Sequence, residues 1–369
     1  MIALTRDEAR ELVDTYINSE DKTYSIQELL DSGEILRLMG YKVRPGKVSD
    51  SIFGGRFTYI TNGQTFEYEN PPLNTRDGTP LRIMIRTQRI STHDINRGEI
   101  PFKDQILALN HNFMRRLLTN AIGTSQIDIP GLEDNSIIIV AENLTQMPFE
   151  NVLRAYMAKS TTSTSLYQHY IRGEREFCGH KLSEGLVPNG PLPFIMDTPS
   201  TKSDKHDESV SPQQLFDRGI CTLEQYAQIR NSSLFAFGIV SEFLRNKGLM
   251  AVDTKTEHGI NKRGEIVSQD EIWTMDSSRF WLLDDYNEQL EKLAKEEIKE
   301  LDPRSYSKEF ARGFSKGDQG YIDEQRAQIA VRYIEGIQHL LGTRFEPDMR
   351  SSEERIISGI EKIVNKLVA

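Results

Sequence analysis

Residues 251–281 read AVDTKTEHGINKRGEIVSQDEIWTMDSSRFW, and this stretch determines the fold that we predict. It contains six acidic residues, two lysines, two arginines and three serines. The apolar run GLMAV at 248–252 predicts one strand, and the alternation over 265–273 predicts its partner. Residues 261–264 (NKRG) supply the turn between them. The segment is therefore predicted to be a β-hairpin followed by a polar exit loop.

The charged side chains of this hairpin are expected to gather on one face. Side chains two apart along a strand point the same way, so Asp253, Lys255 and Glu257 share a face. With the turn centred on 262–263, Asp270 falls opposite Lys255 and beside Glu257. Two carboxylates flanking a lysine suit a divalent cation bridged to phosphates, because Mg²⁺ prefers a few hard oxygen ligands. A hairpin that is only a solvated surface is the competing interpretation.

The exit loop, which reads DSSR at 276–279, adds an anion-binding element. Two hydroxyls and a guanidinium suit a phosphate monoester, which arginine binds through two parallel hydrogen bonds. On residue chemistry alone, the whole segment indicates a metal–nucleotide site beside an anion site.

Several blocks of the chain resemble one family. Those in the hairpin resemble the most diagnostic region of SAICAR synthetase (phosphoribosylaminoimidazole-succinocarboxamide synthase), and they are DTKTEHG at 253–259, Asp270–Glu271 and DSSRFW at 276–281. Further blocks follow the family's order, namely GKVSD at 46–50, MPFENVLR at 147–154 and DTPSTKSDKHDES at 197–209. The resemblance extends over about residues 41 to 342. It implies a ligase that uses ATP and Mg²⁺ to join L-aspartate to carboxyaminoimidazole ribotide (CAIR) in purine biosynthesis.

The resemblance also implies a fold. It is an α+β, two-lobed SAICAR-synthase-like fold with antiparallel sheets and packed helices, related to ATP-grasp and kinase-like ATP-binding lobes. The expected divisions are a helical extension at 1–40, a strand-rich lobe on the ATP-phosphate side at 41–146, a mixed lobe with the CAIR, metal and aspartate sites at 147–342, and a helical tail at 343–369. A chain of 369 residues is long enough for two lobes with extensions.

Composition restricts the class of protein. The 45 basic and 55 acidic residues leave a net charge of -10, which argues against a general nucleic-acid surface, while the resemblance implies small-molecule partners. Two cysteines exclude a disulfide framework. The N-terminus, MIALTRDEAREL, lacks a signal-peptide pattern, and no run is long enough to span a membrane. We therefore expect a cytoplasmic protein without membrane contact.

Periodicity predicts the main elements. Two short N-terminal helices are expected to be capped by Thr5 and Ser25, and the apolar residues available there for packing are Leu29, Leu30, Ile35 and Leu38. A hairpin is predicted around Asn62–Gly63, with further strands at 81–87 and 136–142. Helices are predicted at 106–118, 222–246 and 323–341. An apolar stripe in the tail, whose members are Ile356, Ile357, Ile360, Ile363, Val364 and Leu367, indicates either core packing or a homodimer contact.

The resemblance implies an ATP-binding set. A glycine lets the backbone approach a phosphate and a lysine supplies charge, which fits Gly46–Lys47. Residues 147–150 would form a hinge that reads the adenine edge, with an ordinary interdomain strand as the alternative. Lys202 lies in a polar stretch typical of a linker or of a loop that orders over ATP. The implied ATP-binding residues are Gly46, Lys47, Met147, Glu150 and Lys202.

The remaining site residues follow from the same resemblance. CAIR carries a phosphate and a carboxylate, so its pocket needs cations and hydroxyls. The implied CAIR-binding residues are Arg154, Ser165, Ser277, Ser278 and Arg279; the aspartate loop holds His206, Asp207 and Glu208; the metal ligands are Glu257, Asp270 and Glu99. The implied catalytic residues are Lys255 and Asp253, the latter orienting Lys255 or accepting a proton.

Two other functions compete with ligation. A kinase-like phosphotransferase would use the same lysine, hinge and metal-binding element on a hydroxyl acceptor. A nucleotide-binding paralogue without ligase activity is the second alternative, since Ser49, Gln88, Asp104 and Gln105 depart from the family pattern. A Ser/Thr-rich insertion before Ser165 is a further departure, and it either leaves the pocket intact as a surface excursion or reshapes it.

Overall fold

The architecture combines helices with antiparallel sheets. A computed structural model of the chain describes residues 2–19, 25–35, 38–61, 64–202 and 207–367. Its helices are α1 (Arg6–Ile17), α2 (Ile26–Ser32), α3 (Lys103–Leu117), α4 (Leu166–Ile171), α5 (Pro212–Asp217), α6 (Leu223–Arg245), α7 (Leu283–Ala294), α8 (Glu309–Arg312), α9 (Asp323–Leu341) and α10 (Ser352–Leu367).

The strands form two main sheets and three ribbons. They are β1 (Val43–Arg44), β2 (Ser49–Phe53), β3 (Gly55–Thr61), β4 (Gln64–Asn70), β5 (Leu81–Arg86), β6 (Arg89–Thr92), β7 (Ile95–Glu99), β8 (Ile138–Glu142), β9 (Thr145–Tyr156), β10 (Glu176–Phe177), β11 (His180–Lys181), β12 (Pro191–Asp197), β13 (Ser200–Thr201), β14 (Leu249–Ile260), β15 (Ile266–Gln269), β16 (Ser278–Leu282) and β17 (Ser305–Tyr306). The N-terminal sheet has the order β1-β2-β5-β8. The central sheet has the order β12-β9-β14-β16-β17, with β13 against β9 and β15 against β14. The ribbons are β3-β4, β6-β7 and β10-β11, and all these named pairings are antiparallel.

Most predicted elements are present. The capping boxes of α1 and α2 use Thr5 and Ser25 as predicted, and Thr222 caps α6. The predicted hairpin is β3–β4, although its expected turn at Asn62–Gly63 lies outside the described residues. Helix α3 begins at Lys103, three residues before the predicted apolar start, because Phe102 takes a left-handed conformation that separates it from the preceding turn. Among the described helices, none is both long and apolar enough to cross a membrane.

The central sheet packs on a layer of long helices. Apolar residues of α3, α6 and α9 form one core with the sheet, and they include Met114, Phe237 and Ile334. Helix α1 joins the same core through Ala9 and Val13. Phe237 contacts Trp273 edge-to-face, with ring centroids 5.2 Å apart. This layer fixes one side of the sheet.

The N-terminal sheet buries one face against helices from both chain termini. Ile52, Ile83 and Val140 on this face form a core with α2 and α10. Helix α10 contributes Ile360 and Ile363, which are fully buried, so the stripe in the tail is core packing within the chain.

The other face of the N-terminal sheet is mixed. The register places Ser49 opposite Arg86, Ser51 opposite Met84 and Phe53 opposite Arg82 on neighbouring strands β2 and β5. Arg86 Nη1 donates to Glu271 Oε1 at 2.7 Å, so this face is turned toward the loop after β15. The junction between the two main sheets, which we call the cleft, therefore has Arg86 on its N-terminal side.

Candidate active site

Three adjacent strands of the central sheet position the charged residues of the hairpin. Asp253 on β14 lies opposite Arg154 on β9 and opposite Arg279 on β16. Farther along β14, Lys255 pairs in register with Val152, and Glu257 with Glu150. The ion pairs that these side chains make run along one face, as the alternation predicts.

Asp253 is a buried counterion for two guanidiniums. Arg279 Nε donates to its two carboxylate oxygens at 2.9 and 3.0 Å, and Arg154 Nη1 lies 3.3 Å from Oδ2. Burial favours the protonated acid, but the two arginines outweigh it and hold the pKa of Asp253 below its ordinary value. The expectation that Asp253 orients Lys255 is corrected, because its carboxylate is engaged by arginines.

Lys255 pairs instead with a buried glutamate of β9. Its Nζ lies 2.5 Å from Glu150 Oε1, and Ser200 Oγ donates to the other carboxylate oxygen at 3.2 Å. Burial disfavours the charged amine, but Glu150, Glu257 and Asp207 together raise the pKa of Lys255 above its ordinary value. The amine is therefore a cation throughout the neutral range.

The polar stretch near residue 200 folds back over this face. Lys202 Nζ forms an ion pair with Glu257, and its backbone nitrogen donates to Pro148 O at 3.0 Å. Thr201 and Glu208 are linked by a backbone hydrogen bond of 2.8 Å, which closes the base of the loop. The carboxylate of Glu208 turns outward to Arg218, contrary to its expected place in the aspartate loop. His206 lies outside the described residues.

The hairpin register corrects the position expected for Asp270. Strand β15 ends at Gln269, which is the partner of Glu257, so Asp270 lies beyond the ladder and not opposite Lys255. Its φ of 60° is left-handed and ends the strand. Asp270 and Glu257 both act on the guanidinium of Arg82: burial lowers the pKa of Arg82, and the two carboxylates oppose that shift. Both carboxylates are therefore within electrostatic range of Arg82.

The expected metal ligands are only partly brought together. Glu257 and Asp270 supply the hard oxygens that Mg²⁺ prefers, so this pair fits such an ion. Glu99 belongs to a different ribbon, where it pairs with Arg89 and its carbonyl accepts from Arg326 Nε at 2.7 Å. Within the described ranges, no group of three or more His, Cys, Asp and Glu side chains could hold a metal ion, so a three-carboxylate site including Glu99 is not formed.

The implied CAIR residues diverge in orientation. Arg154 and Arg279 converge on Asp253, and the carbonyl of Ser277 accepts from Lys255 N at 2.9 Å. Ser278 contradicts the expectation, because its buried hydroxyl bonds Thr254 Oγ1 at 2.8 Å on the opposite face of the sheet.

Ser165 serves as a helix cap. Its Oγ accepts from Gln168 N at 3.3 Å at the start of α4. The preceding Ser/Thr-rich insertion contacts the β6–β7 ribbon, where His93 Nε2 and Thr161 Oγ1 are 2.9 Å apart. The insertion thus bridges the two parts of the molecule at the rim of the cleft.

The implied ATP residues lie on both sides of the cleft. Gly46 is required by packing, because a Cβ there would collide with the carbonyl oxygen of Ser49. Lys47 Nζ lies 2.5 Å from Asp94 Oδ1 in an exposed pair. Met147 is buried in an apolar cluster, and residues 147–150, the expected hinge, belong to the continuous strand β9.

The sequence reasoning missed a group of cations after β17. Burial raises the pKa of Asp253, Arg279 and Arg154 lower it, and Arg312 adds a weaker lowering charge; Arg312 Nη1 itself donates to Glu309 Oε2 at 2.6 Å. Lys308 lies 3.8 Å from Asp276 Oδ2, and Lys103 Nζ lies 2.8 Å from the same atom. The sequence KEFAR at 308–312 could have indicated these cations, because Lys308 and Arg312 are four residues apart and would share a helix face.

Comparison with known proteins identifies the family. The sequence profile described as SAICAR synthetase matches residues 74–324. The chloroplastic phosphoribosylaminoimidazole-succinocarboxamide synthase of Arabidopsis thaliana is 34% identical over 79% of this chain and 71% of its own. The synthase of Legionella pneumophila (strain Paris) is 31% identical over 80% of this chain and 95% of its own.

Solved structures agree at the level of the fold. SAICAR synthase from Saccharomyces cerevisiae complexed with SAICAR has a TM-score of 0.63 at 23% identity, covering 83% of this chain and 97% of that one. A type-2 SAICAR synthetase in complex with ADP has a TM-score of 0.57 at 22% identity, covering 83% of this chain and 100% of that one. The predicted α+β fold of this type is confirmed, and the chain belongs to the SAICAR synthetase family.

Proposed function

We propose that this protein is an ATP-dependent ligase that condenses CAIR with L-aspartate, giving SAICAR, ADP and phosphate in purine biosynthesis. The observation that carries the proposal is the row of charges along β14: an arginine-bound Asp253, then Lys255, then Glu257. It sets an anion-binding group beside a group suited to metal and phosphate. Family membership and the named relatives support the same activity.

The reaction requires activation of a carboxylate. A carboxylate is a poor acyl donor because oxide would be its leaving group, so the CAIR carboxylate first attacks the γ-phosphorus of ATP. The bond from that phosphorus to the ADP oxygen breaks, and an acyl phosphate forms. The amine of aspartate then attacks the acyl carbon, loses a proton, and expels inorganic phosphate. Phosphoryl transfer depends mainly on positioning and neutralisation of charge.

The cations of the cleft would provide that neutralisation. Lys255 remains protonated because carboxylates surround it, so it acts as a fixed positive charge beside the reacting carboxylate or phosphoryl group. Lys202 reaches the same face from the folded-back loop, and Lys47, in the segment after β1, would be the cation on the N-terminal side. Glu257 and Asp270 would hold Mg²⁺, which supplies charge neutralisation between the phosphates.

The arginines would bind CAIR. Arg154 and Arg279 are both held by Asp253, so two guanidiniums share one buried carboxylate. The excess positive charge suits the phosphate of CAIR, with hydroxyls from Ser277 and Ser165 at the margins. The aspartate substrate would lie under the loop that carries His206 and Asp207, whose negative charge reaches Lys255.

One assay tests the proposal. Purified protein is mixed with ATP and Mg²⁺, and ADP release and SAICAR formation are followed while CAIR and aspartate are omitted in turn. We expect SAICAR only when both are present. ADP release with CAIR alone, without SAICAR when aspartate is added, would favour a phosphotransferase. Nucleotide binding without turnover would favour a paralogue that lacks ligase activity.

A further inference from the structure

The cleft-facing side of the N-terminal sheet carries buried hydrogen-bond donors that do not belong to the site residues named above. Ser49 on β2 and Arg86 on β5 are direct partners in the antiparallel register, so their side chains lie on the same face. The guanidinium side chain of Arg86 is only 2% exposed. This pair is next to the loop that holds Gly46 and Lys47.

Arg86 uses only part of its hydrogen-bonding capacity. Its Nη1 donates to Glu271 Oε1 at 2.7 Å. Its Nε and Nη2, and the hydroxyl of Ser49, have no hydrogen-bond partner among the residues that the structure describes. A buried polar group without a partner costs about 1–3 kcal/mol, and more when it is charged. Such groups side by side indicate a ligand that satisfies them.

The geometry of the Nε–Nη2 edge of Arg86 indicates which chemical group that ligand carries. Nε and Nη2 form one side of the planar guanidinium and donate in parallel, which matches two oxygens of a phosphate or carboxylate. The nearby His111 adds no positive charge, because burial and the charge of Arg86 lower the pKa of its imidazole to about 3. The subsite therefore presents one guanidinium edge and one hydroxyl.

A second arginine lies on the same face. Arg82 lies four residues before Arg86 on β5, and its Nε also lacks a partner among the described residues. Burial lowers the pKa of Arg82, and the charges of Asp270 and Glu257 oppose that shift, so this row of carboxylates lies within electrostatic range of the arginine. A ligand between these two rows must offer anionic oxygens to the arginines while a cation satisfies the carboxylates. A metal-bound polyphosphate meets both requirements.

We infer that the Nε–Nη2 edge of Arg86, with the hydroxyl of Ser49, binds a phosphate group of the nucleoside triphosphate. This inference rests on the proposed function in its choice of nucleotide. If Arg86 served only to join the N-terminal sheet to the loop after β15, its bond to Glu271 would be sufficient. The remaining donors would then have no explanation. Arg86 is then a substrate-binding residue supplied by the strand beside the Gly46–Lys47 loop.

Calorimetric titration with ADP and with adenosine, both in Mg²⁺ buffer, tests the inference. Adenosine lacks the phosphates, so it reports on the base and ribose site alone. Arg86→Met is expected to weaken ADP binding by about 10- to 100-fold, the value of a charge-assisted hydrogen-bond pair. Adenosine binding should stay unchanged. Arg86→Lys keeps the charge against Glu271 but loses the paired edge, and it should fall between the wild type and Arg86→Met.

Two further variants separate a structural role from a binding role. Glu271→Gln removes the interlobe ion pair but leaves the free edge of Arg86, so it should lower thermal stability while ADP binding is retained. Arg355→Met removes a different buried arginine, whose Nη1 lies 2.9 Å from Asp104, and it should also leave ADP binding intact.

The possible outcomes distinguish this inference from the proposed function. Equal weakening of ADP and adenosine binding by Arg86→Met, or equal effects of Arg86→Met and Glu271→Gln on ADP binding, would overturn the phosphate subsite. Unchanged ADP binding in Arg86→Met would overturn the phosphate subsite as well. The proposed function would still stand in that case if the wild type forms SAICAR. Failure of the wild type to bind ADP would overturn both.

Discussion

Asp253 and Arg279 form a buried pair at the centre of the central sheet, with Arg279 Nε 2.9 Å from Oδ1 and 3.0 Å from Oδ2. Arg154 approaches the same carboxylate from the neighbouring strand β9, with Nη1 3.3 Å from Oδ2. The carboxylate thus holds together two cations that would otherwise repel each other. Its role is to keep an anion-binding group assembled before the anion arrives.

Asp253→Asn should expose that repulsion. Removal of one partner of a buried ion pair costs about 3–5 kcal/mol, so we expect a loss of that size in urea unfolding. Added sulfate should recover part of the loss by replacing the missing negative charge, and it should stabilise the variant more than the wild type. Asp128→Asn, at a carboxylate that is 77% exposed beside Arg115, is the control and should have little effect. A change below about 1 kcal/mol in Asp253→Asn would contradict this interpretation.

Asp270→Asn should separate catalysis from folding. Asn accepts left-handed φ values nearly as well as Asp, and Asp270 has a φ of 60°. Stability should therefore change by less than about 1 kcal/mol, while loss of a metal-binding carboxylate should lower kcat by about 100-fold or more. Asp270→Ala serves as the comparison, because alanine tolerates this φ poorly and should also lose stability. Parallel losses of Tm and kcat in Asp270→Asn would identify Asp270 as structural.

Glu150→Gln should change the pH dependence of the reaction. The wild-type amine of Lys255 keeps its proton because Glu150 and its neighbours outweigh burial and raise the pKa of Lys255. Loss of this carboxylate removes a close opposite charge, so the alkaline limb of the kcat profile should move at least about one unit toward neutral pH. Glu184→Gln, at an exposed partner of Arg175, should leave the profile in place. An unmoved alkaline limb in Glu150→Gln would show that Lys255 does not control it.

Asp197→Asn should reduce stability in a pH-dependent way. Burial alone would raise the pKa of Asp197, but bonds from His180, Tyr226 and Arg230 lower it from 3.8 to about 2. A carboxyl group whose pKa is lower in the folded protein stabilises the fold at pH values above its pKa in the unfolded chain. The carboxylate of Asp197 should therefore contribute about 2 kcal/mol at pH 7. The contribution falls as pH drops from 3.8 toward 2, and about half should remain at pH 3. Urea unfolding at pH 7 and pH 3 measures this.

The free energies of unfolding of the wild type and of Asp197→Asn should approach each other in acid. If the difference between wild type and Asp197→Asn stays constant from pH 7 to pH 3, the effect comes from packing and not from ionisation. Asp217→Asn, at an exposed position near the end of α5, is the control and should follow the wild type at each pH.

Local features of the fold were predictable from the sequence. The caps at Thr5 and Ser25 were correct because a capping box is complete within four residues. The shared face of β14 was correct because alternation depends only on strand geometry. The resemblance located the segments near the cleft, since its blocks contain the side chains that line it.

Long-range relationships were not predictable. The partner of Asp253 is set by strands β9 and β16, which approach β14 only after folding. The register error at Asp270 arose because β15 ends early, at Gln269, where the backbone turns to a left-handed conformation. Ser278 appeared equivalent to Ser277, but residues next to each other on a strand face opposite ways. In each case, tertiary contact decided what local pattern left open.

The two terminal helices have a consequence for synthesis of the chain. The N-terminal sheet is complete in sequence by Glu142, yet its apolar face is covered partly by Ile360, Ile363 and Val364 of α10. A nascent chain on the ribosome cannot close this core until α10 has been translated. A translation product that stops before α10 therefore leaves part of the apolar face around Ile83 and Val140 uncovered, a surface prone to aggregation.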